Sequence, residues 1–377
     1  MITNIKVENF KIHKSTSLDL SSLNIFTGIN SSGKSSIIQA LLLLRQNYEK
    51  QLMDEGLSLN GDLCNIGFVD DAICIYGEED IVRISLSQVD DHVSKWVFQK
   101  NANESRKDFL YNGNPDEIKH YNSSLFTKDF QYIGASRLAP QESYPLDTAC
   151  VEIKKQISRE KGQCELVVHY LDYYGSNGFR IDESLKHPNT KTLDLKEQVS
   201  AWECEISKGV NVIPEQIGKG YVLKYGYKNP NTQLEETYSA MNVGIGLSYA
   251  LPIVVSLLTA KKGSLIIIEN PEIHLHPGGQ AALAKLIALT ARMGAQIVVE
   301  THSDHIINGI LVATKRFEEN GKGIDKDKVK LYYFEKKDQT QLAEVTQIKI
   351  IGNGNIDNQP KGFFDQIEND LSVLLGF

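Results

Sequence analysis

Gly28-Ile29-Asn30-Ser31-Ser32-Gly33-Lys34-Ser35 fits the spacing G-x-x-x-x-G-K-[ST]. Glycines at those positions let backbone N–H groups curl around a polyphosphate, and a following helix turns its positive N-terminus toward it. Lys34 is placed to reach β- and γ-phosphates, and the Ser35 hydroxyl to ligate Mg²⁺. The expected phosphate contacts are Gly28, Asn30, Ser31, Ser32, Gly33, Lys34, Ser35 and Ser36. A chance match in a Gly/Ser loop is the alternative. Further along, Leu265-Ile266-Ile267-Ile268-Glu269 is an apolar run closed by a carboxylate, with Asn270-Pro271-Glu272 directly after it. Ligands of open α/β sheets sit at the carboxyl ends of strands, so Glu269 is the expected Mg²⁺ carboxylate. Another apolar run ends in Glu300-Thr301-His302-Ser303, which brings an imidazole to the same edge.

These groups need strands and helices to hold them. Leu23-Asn24-Ile25-Phe26 reads as a buried strand entering the loop, and the Leu-rich stretch after Ser36 as a helix running to about Glu49. That strand–loop–helix order counts against a chance match. Ile2 to Phe10 alternates as an opening strand, and short β-rich runs such as 72–76 and 81–86 predict a meander. Residues 101–127 read as a polar loop, and Phe130 to Gly134 as a strand. The stretch 150–220 is mixed, with a helix at Leu195 to Ile206. A hairpin is expected over 221–238, turning at Lys228-Asn229-Pro230-Asn231. Asn242 to Leu258 is a Gly-rich entry to an apolar helix, and Gln280 to Ala291 is another helix. Leu265 to Ile268 and Gln296 to Val299 read as strands of a parallel sheet buried on both faces. Val329 to Phe334 and Leu342 to Ile350 form a hairpin around Lys337-Asp338, and a short helix spans Phe364 to Leu375.

Composition sets limits. With 377 residues, 41% hydrophobic and 23% charged, the chain can bury a large core without staples. The five cysteines show no C-x-x-C pair, which argues against a zinc ribbon or disulfide framework and for a reducing cytoplasm. The first residues lack the apolar core of a signal peptide. The longest apolar run, Leu247 to Ala260, is too short to span a membrane and reads as a buried helix. A net charge of −8 is unlike a chain that grips nucleic acid by itself. The clusters Lys100 to Lys107 and Lys326 to Lys330 read as solvated faces.

Taken together, these residues resemble the ATP-binding-cassette heads of the SMC, RecF and OLD group. Ile5-Lys6-Val7-Glu8-Asn9-Phe10 resembles the opening strand of those heads, and Glu269-Asn270-Pro271-Glu272-Ile273-His274-Leu275-His276-Pro277 resembles their Walker B motif and the segment after it. Thr301-His302-Ser303 is similar to their switch histidine. The nearest subgroup is the small bacterial OLD-like and Septu PtuA-like ATPases of anti-phage loci, whose uncharacterised C-terminal segment Gly362-Phe363-Phe364-Asp365-Gln366 resembles.

The resemblance implies an α/β fold: a P-loop NTPase head with a mixed sheet, a β-meander and a mixed helical insertion between the Walker A loop and Walker B. It divides the chain into the first half of the head (1–145), the insertion (146–235), the second half (236–350) and a tail (351–377). It further implies a homodimer that sandwiches two ATP molecules with Mg²⁺. The Asn242-Val243-Gly244-Ile245-Gly246-Leu247-Ser248 segment of one copy would meet the other copy's phosphates, through Asn242, Gly244, Gly246 and Ser248. A Gly-rich helix entry without a ligand is the alternative. Asn270 departs from the family pattern, in which a glutamate often polarises the attacking water. Asn270 orients water but accepts no proton, and Glu272 is the candidate substitute, so slow hydrolysis is expected. Catalytic roles are thus expected of Lys34, Glu269, Asn270, Glu272 and His302.

Other residues have plainer readings. His274 and His276 supply too few ligands for a metal and are expected in structural or dimer contacts. Gln39 and Gln46 lie on the loop helix and are expected to pack or meet solvent; neither is assigned as a Q-loop. Arg137 contacts a phosphate or partner, or forms a structural ion pair. Tyr132, Tyr144 and Trp202 read as core. The function expected is a cytoplasmic ATPase that regulates a separate nuclease or toxin, reaching nucleic acid through that complex and no membrane. No Toprim or H-N-H nuclease pattern is visible in this sequence. A RecF-like repair ATPase that binds DNA directly is the alternative, and a transporter subunit fits less well.

Overall fold

The apolar runs assemble as one sheet covered on both faces. The structure is a computed structural model. It describes residues 1–101, 107–229, 232, 234–337, 340–360, 362–364 and 366–375, with the side chains of 366–369 left aside. The loop strand β3 (Leu23–Gly28) lies between β14 (Gln296–Glu300) and β15 (Val329–Lys336), parallel to both. Beyond β14 come β13 (Leu265–Glu269) and β8 (Phe130–Ile133), also parallel. β16 (Ala343–Ile350) and β17 (Ile356–Asp357) extend the other edge antiparallel, so the sheet is mixed.

Period-two alternation divides this sheet's side chains between two cores. Phe26, Leu265, Ile267 and Val298 face one, and Ile25, Ile266, Ile268 and Val299 face the other. On the first face lies α1 (Lys34–Glu49), whose run Ala40 to Leu44 is fully buried. Each of its leucines contributes about 1.5–3 kcal/mol by leaving water. That helix is covered in turn by an antiparallel six-stranded sheet. Its order is β2 (His13–Asp19), β1 (Ile2–Phe10), β5 (Ile81–Gln88), β6 (Val93–Gln99), β7 (Phe109–Asn112) and β4 (Gly56–Ser58).

The second face carries the helices α5 (Ile245–Thr259), α6 (Pro277–Met293) and α7 (Asp304–Asn320). The middle of the chain packs onto the same core. It contributes α3 (Val167–Ser176), α4 (Leu195–Glu203) and a small sheet of β10 (Val210–Ile217), β11 (Gly220–Lys228) and β12 (Glu235–Ser239), with β9 (Tyr144–Pro145) pairing β11. A short α2 (Val69–Ala72) and a terminal α8 (Gln366–Leu375) complete the elements. Among the described residues, no helix is long and apolar enough to cross a membrane.

Several local expectations change. The run at 72–76 is not a strand. Asp71 caps the Phe68 N–H at 2.8 Å and winds α2, leaving Ile73 a single bridge to Phe10 and Ile75 exposed. Residues 101–127 include strand β7, because its Leu110 has β4 to pair with and a core to enter. The expected turn residues Pro230, Asn231 and Asp338 lie outside the described residues, as do 102–106 of the lysine cluster and Asp365 of the tail motif. Lys100 pairs with Asp70 at 2.9 Å and Lys326 with Glu318 at 3.2 Å, as solvated lysines do. Tyr132, Tyr144 and Trp202 are core residues.

One core residue is expected to set the pH profile. Glu203 is fully buried, and neither of its carboxylate oxygens has a hydrogen-bond partner among the described residues. Burial pushes its pKa well above the ordinary carboxylate value. For a raised acid, the stabilising contribution is complete below the unfolded value and is lost as pH rises toward the folded one. Glu203→Gln is therefore expected to melt a few degrees above the unchanged protein, by a margin that widens from about pH 5 to about pH 8. Calorimetry across that range checks this, and a margin that does not change with pH contradicts it.

Candidate functional site

The loop between β3 and α1 is held by close backbone packing. Gly28 has φ +134°, and a Cβ there would lie 2.0 Å from the Phe334 carbonyl oxygen of β15. Gly33 has φ +98°, and its Cβ would lie 2.5 Å from His13 Nε2. His13 is buried beneath the loop. Its Nε2–H donates to the Gly33 carbonyl at 3.0 Å and its Nδ1 accepts from Thr16 at 2.8 Å. Ser32 closes the turn by donating to the Ile29 carbonyl at 2.8 Å. Lys34 Nζ donates to the carbonyls of Gly28 and Ile29, at 3.0 and 2.7 Å. The ammonium thus sits in the mouth of the loop, where a phosphate would sit. Asn30 to Ser36 line an open cleft of about 470 Å³ together with Asn270, Glu300 and His302. That size suits a nucleotide.

Parallel pairing sets the acidic side of the cleft. Glu269 and Glu300 are register partners at the ends of β13 and β14, and Glu300 also pairs with Phe26 of β3. Because β14 separates β13 from the loop strand, Glu300 is the carboxylate against the loop. Ser35 donates to its Oε1 at 2.8 Å. Glu269 is turned the other way: its Oε2 accepts from the Ala135 N–H at 3.1 Å, and Tyr132 hydrogen-bonds it. Burial raises both pKa values; that of Glu300 reaches about 7, pushed first by burial and next by the Glu269 charge. Burial also lowers the pKa of Lys34, against the pull of Glu300.

Arg137 is almost fully buried and forms no ion pair among the described residues. It is 3% exposed, and its guanidinium donates to the carbonyls of Gly134, Glu269 and Asn270 at 2.9, 2.7 and 2.8 Å. It also lies over the Tyr249 ring of α5, 5.8 Å from the centroid. This clamp holds Asn270 in a left-handed conformation, φ +45°. Arg137→Met is expected to cost about 3 kcal/mol, since it strands three buried carbonyls. Urea unfolding checks this, and a loss under about 1 kcal/mol would show that the clamp is not holding the loop.

Glu272 is not a free base. Its carboxylate accepts from the Thr301 hydroxyl and the His302 N–H, both at 2.8 Å, and so fixes the switch segment. The His302 pKa is lowered, first by burial and next by Lys34, and its ring reaches the Gly28 carbonyl. Of the expected Gly-rich contacts, Asn242 and Gly244 are exposed, and the segment does not line this chain's own cleft among the described residues. Gly246 and Ser248, expected as phosphate contacts, are packing positions in this chain instead. A Cβ on Gly246 would lie 2.5 Å from the His274 carbonyl, and Ser248 is buried beside Tyr225. His276 caps α6 by accepting from the Gly278 N–H at 3.3 Å, and His274 packs on Tyr249. Among the described residues, no group of three or more metal-ligating side chains occurs. Gln46 is buried, bonded to the backbone at Leu63 and Cys64, while Gln39 lines the cleft and accepts from Lys11 at 2.7 Å.

Sequence reasoning passed over Glu300 and His13 as site residues. Glu300 carried a signal, since Gln296 to Glu300 repeats the pattern of an apolar strand closed by a carboxylate. His13 carried none, because its role comes from β2 folding back beneath the loop.

Comparison with known proteins agrees with this geometry. A family model described as "AAA domain, putative AbiEii toxin, Type IV TA system" matches residues 23–308. A second, described as a protein of unknown function, matches residues 324–374, which include the Gly362 to Gln366 segment. The chain is 22% identical over 340 residues to the Old nuclease of Escherichia phage P2, covering 81% of this chain and 57% of that protein's length. Among solved structures it is similar to the SMC head domain from Thermotoga maritima, at 10% identity over 93% of this chain and 99% of that one, with a TM-score of 0.47. It is also similar to an SMC head bound to the C-winged helix domain of ScpA, at 12% identity over 93% and 98%, with a TM-score of 0.49. The chain belongs to this AAA-domain family.

Proposed function

We propose that the cleft binds ATP with Mg²⁺ and hydrolyses it slowly. Two copies close around two nucleotides, and the nucleotide state regulates a separate effector, a nuclease or toxin, in a cytoplasmic bacterial anti-phage complex. The observation that carries the reading is Lys34 held in the mouth of a strand–loop–helix at the carboxyl edge of the sheet, opposite buried carboxylates. Lys34 and the loop N–H groups bind and orient the β- and γ-phosphates. The donors fit a hard cation: the Ser35 hydroxyl and a strand-end carboxylate, Glu269 or Glu300, offer oxygen ligands. Bound Mg²⁺ neutralises phosphate charge. Asn270 orients water without taking its proton, and Glu272 is occupied with Thr301 and His302, which supports slow turnover.

Dimer closure is supported by the exposed N-terminus of α5. Asn242 and Gly244, just ahead of it, are free to meet the phosphates of a second copy, with His302 at the cleft edge. The four segments 1–145, 146–235, 236–350 and 351–377 then act as one head with its insertion and tail. Gly244 has φ −58°, and an added Cβ meets nothing within 4 Å. Gly244→Glu is therefore expected to fold normally yet stay monomeric with ATP, where the unchanged chain dimerises; light scattering reads the difference. A dimer in both, or in neither, would end the closure model. The effector is tested by affinity capture from the native host with and without ATP. A stoichiometric nuclease or toxin supports regulation, whereas capture of DNA alone favours the RecF-like reading.

A further inference from the structure

The acidic side of the cleft holds two carboxylates, and their environments differ. Glu300 is 6% exposed, yet it lines the cleft. Its Oε1 takes the Ser35 hydroxyl, and its Oε2 is buried with no hydrogen-bond partner among the described residues. An enclosed carboxylate oxygen without a donor is costly, and a cation is what such an oxygen accepts. The Asn270 Oδ1 beside it is likewise buried and unpartnered, while the Asn270 N–H extends the ladder to the Glu300 carbonyl at 2.8 Å. Glu269 differs on each point. Its carboxylate is held by the Ala135 N–H and by Tyr132, one strand farther from Ser35.

We infer that Glu300, on the strand between the loop strand and β13, is the carboxylate that ligates the divalent cation together with Ser35, and that Glu269 is a positioning residue behind it. This rests on the reading of the cleft as a Mg–ATP site. The Ser35 hydroxyl donates to Glu300 at 2.8 Å. Ser35 and Glu300 are the residues that would hold the cation, and it would offset the charge of the nucleotide's phosphates there. The Glu269 carboxylate keeps Ala135 and the end of β8 in place, and with them the Arg137 clamp on the loop after β13.

The test uses Mn²⁺ as the cation and ADP as the nucleotide, on the full chain. Electron paramagnetic resonance counts bound Mn²⁺ directly, and fluorescent ADP in EDTA measures metal-free binding, which reports a folded loop. Glu300→Gln is expected to weaken Mn²⁺ binding by about tenfold or more, and Glu269→Gln by clearly less. Ser35→Ala is expected to follow Glu300→Gln. The two glutamate variants are expected to bind ADP in EDTA as well as the unchanged chain or better. Equal loss in the two glutamate variants, or a larger loss in Glu269→Gln, overturns the assignment while leaving the nucleotide site standing. If the unchanged chain binds neither ADP nor Mn²⁺–ADP, the reading of the cleft falls and the assignment falls with it.

Discussion

Replacing Lys34 with alanine is expected to lower ATP turnover roughly 100-fold or more while leaving the melting temperature nearly unchanged. The two halves of that expectation have separate causes. Lys34 is the first residue of α1, and alanine is the best helix former, so the helix is retained. Among the described residues its ammonium donates to two loop carbonyls, at 3.0 and 2.7 Å, and burial lowers its pKa. The group is held against a solvation cost at a place where its remaining use is to meet a negative ligand. Without it, the charge of the β- and γ-phosphates loses its nearest cation in the cleft. Phosphate release by the purified chain measures this. Turnover within threefold of the unchanged chain would remove Lys34 from the site, and a large fall in melting temperature would give it a structural role.

Gly28→Ala is expected to act on stability rather than chemistry, costing about 4 kcal/mol or more. Two effects add. A φ of +134° lies outside the left-handed well that alanine tolerates, and the new Cβ would stand 2.0 Å from the Phe334 carbonyl oxygen and 2.7 Å from its nitrogen. Those atoms belong to β15, hydrogen-bonded between β3 and β16, and cannot retreat without breaking the sheet. Gly209→Ala is the control. Its φ is +78° and nothing lies within 4 Å of the added Cβ, so only the backbone penalty of about 1 kcal/mol remains. Denaturant unfolding of both variants reads the difference. Similar losses would show that the loop has room to adjust.

The parts of this fold that could be read from sequence are those whose signal is local. The four apolar residues before Glu269, the alternation of Ile2 to Phe10 and the Leu-rich run of α1 each carry their own period, and each formed the expected element. Where the outcome depended on a distant partner, the sequence misled or was silent. The apolar residues 72–76 resemble a strand but make a single bridge, Ile73 to Phe10, and Leu110 lies in a polar stretch yet finds β4. The site divides the same way. Gly28, Gly33, Lys34 and Ser35 are fixed by spacing within one loop. Which carboxylate faces Ser35 depends on strand order, and nothing local reveals that β14 lies between β3 and β13. The side-chain direction of Ser248 also depends on packing, against Tyr225 of the middle segment.

The most direct test of the account is calorimetric titration of the purified chain with ATP, once in Mg²⁺ and once in EDTA. The account predicts one nucleotide per chain in both conditions, bound more tightly in Mg²⁺. Absence of binding, or binding that is indifferent to Lys34→Ala, would contradict it.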